Sequence, residues 1–317
     1  MEITTHQTNQ FDTKELAAFI YKNRKAVLDE RGMSLAELET ELISGWSFIA
    51  YVLAHENNEL IGCALLYRIG DSELIEINPS TVLGFHPMVA PGFDEDEVGI
   101  RLVEAGKDIV LEAGFNSLYI DIPWDPDLPE EHYEVYRKRY GGWGFEVIQQ
   151  VIQMSISLPI QVPELETPTG FSLAQIQTTD EEALYQCHHA AYMAGEAQYY
   201  FQMDDEERCD DFNRVYAPNI RQHPASVVLT RYGQVVGCIM LFTEGTFSEV
   251  MSLAVHPDYR RQGLGTLLMR ACLKRANQEG IKTMVLIVDR KNQSAAELYR
   301  KCGFKESGGN MTFKWKA

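Results

Sequence analysis

Val255-His-Pro-Asp-Tyr-Arg-Arg-Gln-Gly-Leu-Gly-Thr-Leu-Leu-Met269 is the stretch whose reading decides the fold. The apolar run Val250 to Val255, broken by Ser252, predicts a buried strand that Pro257 ends. Leu264, Leu267, Leu268 and Cys272 then fall at i, i+3, i+4 and i+8, the spacing of a helix with one buried face. A strand that enters a helix through a loop holding Gly263 and Gly265 leaves backbone N–H groups converging at the helix start. Those donors, the helix dipole and the charges of Arg260 and Arg261 suit a phosphate group, and glycines let a ligand approach the backbone. An ordinary strand–loop–helix corner uses the same elements, so the adjoining residues must discriminate.

Arg260-Arg261-Gln262-Gly263-Leu264-Gly265 resembles the Arg/Gln-x-x-Gly-x-Gly/Ala signature of the GNAT acetyltransferases, and the Val-His-Pro lead-in at 255–257 is similar too. Further on, Asn292-Gln-Ser-Ala-Ala-Glu-Leu-Tyr-Arg-Lys-Cys-Gly-Phe304 resembles that family's second signature, Asn-x-x-Ala-x-x-x-Tyr-x-x-x-Gly-Phe. The resemblance covers about residues 230–316. It implies acetyl-CoA as acetyl donor. The diphosphate would lie on the amides around Gln262, Gly263, Leu264, Gly265 and Thr266, beside Arg260 and Arg261. The pantetheine arm would run along Leu253, Ala254 and Val255 and near Asn292, which also sits where a helix N-cap belongs. Tyr299, two helical turns after Asn292 and on the same face, would protonate the departing thiolate; a packed core tyrosine is the competing reading. Glu249 matches the position of a glutamate base in many relatives, and apolar neighbours are expected to raise its pKa.

Composition bounds the alternatives. A chain of 317 residues with 45% hydrophobic residues suggests two domains. Residues 1–160 hold 11 Lys+Arg and 27 Asp+Glu, net −16, against 17 and 19, net −2, in 161–317. Such an acidic chain argues against nucleic acid as partner. The polar start and the lack of any long apolar run argue against a signal peptide or a membrane partner. The six cysteines have no Cys-x-x-Cys spacing, which suits a reduced, cytoplasmic protein. No metal site is expected, since Cys187, His188 and His189 point in different directions on a helix. The oligomeric state is open.

From the start, the periodicity predicts a helix over 11–27 and a capping box at Ser34-Leu-Ala-Glu37. Strands are expected at 48–54, 60–67, 73–85, 118–122 and 145–157, with helices at 97–113 and 130–140. Pro159 to Gly170 reads as a linker. The order then repeats: a strand at 171–176, helices at 179–191 and 204–216, strands at 226–231, 234–242 and 247–255, and later a strand at 283–288, a helix at 293–302 and a strand at 311–315. Leu60-Ile-Gly-Cys parallels Val235-Val-Gly-Cys, Phe85-His-Pro parallels Val255-His-Pro, and Tyr136-Arg-Lys parallels Tyr299-Arg-Lys. The set argues for two copies of one fold. The fold class is therefore α/β (α+β): two tandem GNAT folds, each a mixed, mostly antiparallel twisted sheet flanked by helices. Domains are expected at 1–160 and 161–317, resembling mycothiol synthase in architecture alone.

After His86-Pro87 the first copy carries Asp94-Glu-Asp-Glu97 in place of the basic loop. The first domain is therefore expected to be degenerate, structural or substrate-shaping, and to bind acetyl-CoA weakly or not at all. Glu196, Tyr199 and Tyr200, in an aromatic and acidic segment, are the candidate contacts for a cationic amine. The expected activity is N-acetylation of a primary amine, of a small molecule or, alternatively, of a protein or peptide. A non-catalytic acetyl-CoA-binding regulator is the reading from another class.

Overall fold

A computed structural model describes the chain apart from residues 8–11, 46–47, 70–73, 79, 81, 165, 196–199, 202, 217–219 and 221–222, and the side chains of 44–45 and 214–215. The chain divides into two compact units, Met1–Gln150 with Asn310–Ala317, and Val151–Gly309. Among the described residues, no helix is long and apolar enough to cross a membrane.

The first unit opens with β1 (Glu2–Gln7), α1 (Lys14–Asn23), α2 (Lys25–Glu30) and α3 (Leu35–Thr40). The Ser34–Glu37 capping box forms, and a π-turn over Glu41–Gly45 extends α3. The helix expected over 11–27 breaks at Arg24, whose φ of −117° is not helical. Next come β2 (Phe48–Glu56), β3 (Glu59–Arg68), β4 (Ile75–Ile77), β5 (Met88–Val89), α4 (Glu95–Glu112), β6 (Ser117–Pro123), α5 (Glu130–Gly142) and β7 (Glu146–Ser157). β1, β2, β3 and β4 pair antiparallel in that order, β5 adds to β3, and β4 pairs parallel with β6.

The second unit continues with β8 (Phe171–Gln175), α6 (Glu181–Met193), α7 (Asp205–Val215), β9 (Val227–Arg231), β10 (Gln234–Glu244), β11 (Phe247–Val255), α8 (Leu264–Gln278), β12 (Thr283–Asp289), α9 (Gln293–Lys301) and β13 (Lys305–Lys316). β8, β9, β10 and β11 pair antiparallel, and β11 pairs parallel with β12. Both units are thus mixed, mostly antiparallel sheets flanked by helices.

By this division Val151–Ser157 of β7, which pair with β12, belong to the second unit, and Asn310–Lys316 of β13, which pair with β6, belong to the first. The division falls ten residues before the expected 160/161 boundary, because the Val151–Ser157 part of β7 pairs with β12. The last eight residues likewise join the first unit.

Register identifies the repeat independently of sequence. A two-residue turn joins β2 to β3 at Asn57-Asn58 and β9 to β10 at Tyr232-Gly233, each with both φ values positive, as hairpin turns of this kind require. Gly62 lies beneath Val98 and Leu102 of α4, and Gly237 beneath Leu268 of α8; a Cβ at either position would meet those side chains at 3.0–3.2 Å. The next residues, Cys63 and Cys238, point to the opposite face, as strand alternation demands. Cys63 enters the core formed with α1 and α3, and Cys238 the core formed with α6 and α7. Each sheet is thereby covered on both faces.

Pairing also corrects two sequence matches. Val89 lies opposite Gly62, as Val255 lies opposite Gly237. Ala90 N–H donates to Ile61 O (2.8 Å), as His256 N–H donates to Val236 O (2.9 Å). The counterpart of Val255-His-Pro is therefore Val89-Ala-Pro, not Phe85-His-Pro. Similarly, Phe145 N–H donates to Tyr140 O and Phe304 N–H to Tyr299 O, so Tyr140, not Tyr136, stands for Tyr299. Each sequence match is four residues early.

Candidate functional site

Between β11 and α8 the backbone makes a short turn at Pro257–Tyr259 and then a loop in which Arg261 (φ 64°) and Gly263 (φ 77°) both adopt left-handed conformations. Gly263 is the N-cap of α8 and offers no side chain to its first turn. The first bond into the helix runs from Leu267 N–H to Gly263 O, at 3.0 Å. Among the described residues, the amides of Gln262, Gly263, Leu264, Gly265 and Thr266 have no protein acceptor. These free donors stand at the positive end of a fifteen-residue helix, the arrangement that holds an anionic phosphate.

The two glycines have different reasons. A Cβ on Gly263 would meet nothing within 4 Å, so its requirement is conformational and the space before it is open. A Cβ on Gly265 would lie 2.7 Å from Leu298 Cδ1, so that glycine lets α8 and α9 pack. Gly265 is therefore explained by helix packing rather than by ligand approach.

The arginines separate in the same way. Arg260 donates through Nε to Val255 O (3.1 Å), through one terminal nitrogen to Ala194 O (2.7 Å) and through the other to Ala191 O (2.5 Å). It clamps the carbonyl end of α6, where a cation is favoured, and its guanidinium is committed to carbonyls rather than to a ligand. Arg261 is exposed and makes no ion pair among the described residues.

β11 and β12 pair in register only from Phe247/Thr283 to Val250/Leu286. Beyond that point β12 stays with β7, whereas Met251–Val255 have no partner on the β12 side among the described residues. An extra residue in β11, Met251, lies between the pairs Leu241–Val250 and Met240–Ser252. Such a bulge bends its strand, and here it coincides with the separation. The edge of Leu253, Ala254 and Val255 thus lacks a strand partner on the β12 side among the described residues, and the Val255 carbonyl accepts from Arg260.

Around this opening stand the candidate catalytic groups. Tyr299 lies on α9, whose N-cap is Asn292; the Asn292 side-chain oxygen accepts from Ala295 N–H and from Ser294 Oγ, both at 3.1 Å. The Tyr299 ring is 8% exposed and packs against Phe304 at 6.1 Å. Its hydroxyl has no hydrogen-bond partner among the described residues. Burial, with a smaller contribution from Tyr192, pushes the phenol above its ordinary pKa, so it carries its proton throughout the neutral range. Glu249 is half-buried in the part of β11 that pairs with β12, opposite Phe242 of β10 and beside Val285 of β12.

Sequence reasoning missed Tyr192. It stacks on His188 at 4.2 Å and its hydroxyl reaches Ser252 Oγ on β11 at 3.5 Å. The signal was available: Tyr185, His188 and Tyr192 follow the i, i+3, i+7 spacing of one helix face. His188 is fully buried, neither ring nitrogen has a partner, and burial holds its pKa down to about 4. It is a neutral ring in an aromatic core. Tyr200, expected at the substrate, is fully buried instead; its hydroxyl meets His189 Nδ1 at 3.1 Å, its ring lies 5.2 Å from that of Tyr192, and burial pushes its pKa up to about 12. An amphipathic ring beside α6 gains more from the core than from solvent. Glu196 and Tyr199 lie outside the described residues.

The corresponding turn of the first unit is built differently. At the positions of Arg261-Gln262-Gly263 it has Glu95-Asp96-Glu97, wound into the first turn of α4 instead of a loop. The Asp94 carboxylate accepts from Asp96 N–H (2.8 Å) and Glu97 N–H (3.0 Å), and Arg139 pairs with Asp96 (2.6 Å) and Glu95 (2.8 Å). The helix end is satisfied internally. Tyr140, the counterpart of Tyr299, is sealed among Trp143, Phe145 and Phe313 with its hydroxyl buried and unpartnered.

Residues 182–304, which contain the loop, the diverging strands and Tyr299, match the acetyltransferase (GNAT) family. The chain carries a GNAT acetyltransferase domain. Over 270 residues it is 27% identical to a mycothiol acetyltransferase of Thermobispora bispora, covering 82% of this chain and 81% of that one. The GNAT domain is also 26% identical over 136 residues to a ribosomal protein bS18-alanine N-acetyltransferase of Escherichia coli, across 43% of this chain and 82% of the relative. In fold, the whole chain resembles a tandem GNAT protein from the clavulanic acid biosynthesis pathway, with a TM-score of 0.53, 13% identity, and 99% and 98% of the two chains covered. The architecture is thus a tandem pair of GNAT folds.

Proposed function

We propose that the second unit is an acetyl-CoA-dependent N-acetyltransferase acting on a primary amine of a small molecule. The observation that carries this reading is the row of unpartnered amides from Gln262 to Thr266 at the start of α8, next to a strand edge that β12 leaves open. The amides and Arg261 would hold the diphosphate, the edge of Leu253 to Val255 the amide-bearing arm, and Asn292 would flank it while capping α9. When bound, acetyl-CoA supplies an activated acyl carbon and a thiolate leaving group.

The chain's own groups then divide the proton work. Tyr299 keeps its proton on Oη because burial opposes ionisation; its role is to donate that proton as the leaving sulfur gains charge. Glu249, half-buried at the start of the opening, takes a proton from the ammonium form of the acceptor, directly or through water, so that the neutral amine attacks. Tyr192, tied to Ser252, forms the wall of the opening beside Tyr299. Arg260 positions the loop by fastening it to α6 and does not contact the cofactor through its guanidinium.

The first unit is proposed to bind no acetyl-CoA, since its helix start is occupied by Asp94 and Arg139. A peptide acceptor is the second reading, favoured by the similarity to a ribosomal-protein alanine acetyltransferase. Free amines and peptides offered with acetyl-CoA, with thiol release as the readout, separate the two. Steady release with small amines supports the first reading, release with peptides alone the second. Cofactor binding without release from any acceptor would make the chain a regulator.

A further inference from the structure

Glu249 sits in an apolar frame. Phe242 lies opposite it on β10, Val285 lies beside it on β12, and Phe247 and Met251 flank it along β11. Strand alternation puts paired residues on one face of a sheet. Here that face is the one toward α6 and α7, because Phe242 and Met251 pack, with Tyr192, against the core those helices form. Among the described residues, the Glu249 carboxylate makes no hydrogen bond or ion pair.

Ile287 continues the frame. It lies two residues beyond Val285 on β12 and on the same face, about 8 Å from Glu249 by strand geometry. β12 is not an edge strand, since it pairs with β7 as far as Asp289 and with β11 as far as Leu286. Ile287 is nevertheless 55% exposed. An isoleucine at an interior position of a sheet is usually covered by the layer above it. This one is open to solvent at the point where β11 and β12 part, diagonal to an unpaired carboxylate.

The first copy differs at this place. Glu76 pairs with Tyr119 of β6 as Glu249 pairs with Val285, so Asp121, two residues on, holds the position of Ile287. Asp121 Oδ2 accepts from Asn310 Nδ2 at 3.1 Å, and Thr312 lies opposite Asp121 where Gln153 lies opposite Ile287. The shared fold therefore does not demand an apolar residue here, and the apolar surface beside Glu249 belongs to the second unit alone.

We propose that the acceptor is a small primary amine bearing an alkyl or aryl group, its ammonium nitrogen meeting Glu249 and its apolar group lying on Val285 and Ile287. Ile287 is then a specificity-determining residue, selecting by the apolar surface that the substrate covers. The inference rests on the reading of the second unit as an N-acetyltransferase.

Thiol release by the full chain tests it, with acetyl-CoA and 2-phenylethylamine, ethanolamine or 1,4-diaminobutane as acceptor. The kcat/KM for 2-phenylethylamine should exceed that for either polar amine by at least about tenfold, the discrimination that one apolar contact supplies. In Ile287→Asp, which installs the residue of the first copy, the preference should fall to about threefold or less, through a higher KM for 2-phenylethylamine. Should Ile287→Asp fail to fold, Ile287→Thr decides the matter by the same reduction. Similar kcat/KM for all three amines, a preference for a polar amine, or a preference for 2-phenylethylamine that survives substitution of Ile287 overturns this inference and leaves the acetyltransferase reading standing. Silence with all three amines overturns the small-amine reading and this inference with it.

Discussion

Glu76 and Glu249 occupy the same register position in the two units. Glu76 of β4 lies opposite Tyr67 and beside Tyr119, and Glu249 of β11 lies opposite Phe242 and beside Val285. Their surroundings differ. Glu76 lies beside Asp121, whose Oδ2 accepts from Asn310 Nδ2, and burial together with the Asp121 charge pushes the Glu76 carboxyl up to about 8. The position assigned to the base in one unit therefore holds a carboxylic acid in the other.

This gives the first unit a pH-dependent stability of unusual sign. Folded Glu76 keeps its proton up to about pH 8, whereas the unfolded residue loses it near its ordinary value. Between those limits the native state binds more protons, so this pair's contribution to stability falls as pH rises from about 4.5 to about 8 and is level above that. Urea midpoints at pH 5 and pH 8 should show a loss in the parent that is much smaller in Glu76→Gln. Equal pH dependence in the two proteins would show that Glu76 does not hold its proton in the folded state.

The two loop arginines should fail differently. Arg260→Met abandons three carbonyls and is expected to lower stability by roughly 1.5–3 kcal/mol, read as a shifted melting temperature. Arg261→Met should leave stability unchanged and weaken acetyl-CoA binding. The reverse assignment of the two defects would show that Arg260, not Arg261, faces the ligand.

Gly265→Ala places a methyl 2.7 Å from Leu298 Cδ1 and should cost about 1–3 kcal/mol through overpacking. Adding Leu298→Ala makes room, and the double variant should be more stable than the two separate losses imply. Strict additivity would mean that the contact does not limit the helix pair.

Tyr299→Phe removes only the hydroxyl from a well-packed ring. Turnover is expected to fall by about 10²-fold or more, with little change in KM for acetyl-CoA and in stability. Unchanged kcat would make Tyr299 a core residue and nothing more.

Binding stoichiometry tests the division of labour between the copies. Calorimetry should count one acetyl-CoA per chain, abolished or much weakened by Arg261→Met. Two sites per chain would mean that Asp94 and Arg139 yield the start of α4 to a diphosphate.

Much of this architecture could be read from local pattern. The Ser34 and Asn292 caps, the Asn57-Asn58 turn and the Gly-Cys pair in β3 and β10 are written in adjacent residues, and each forms as expected. What escaped was non-local. Nothing in the sequence of β7 or β13 announces that Val151–Ser157 pair with β12 or that Asn310–Lys316 pair with β6, because strand pairing depends on partners more than a hundred residues away. The false parallels at Phe85-His-Pro and Tyr136-Arg-Lys arose because short identities outscore geometry until hydrogen bonds supply the register. Within the site, Gly263 and Asn292 were legible as backbone requirements. The commitment of Arg260 to α6 and the burial of Tyr200 depend on how α6 packs, which periodicity alone does not specify.

The central claim is that the free amides at the start of α8 hold a diphosphate while Tyr299 faces the sulfur. A crystal of the full chain grown with coenzyme A tests it most directly, by locating the two phosphorus atoms and the thiol. The account predicts phosphorus density over the amides of Gln262 to Thr266 and the thiol within hydrogen-bond reach of Tyr299 Oη. Phosphorus density at any other surface, or a thiol remote from Tyr299, would contradict it.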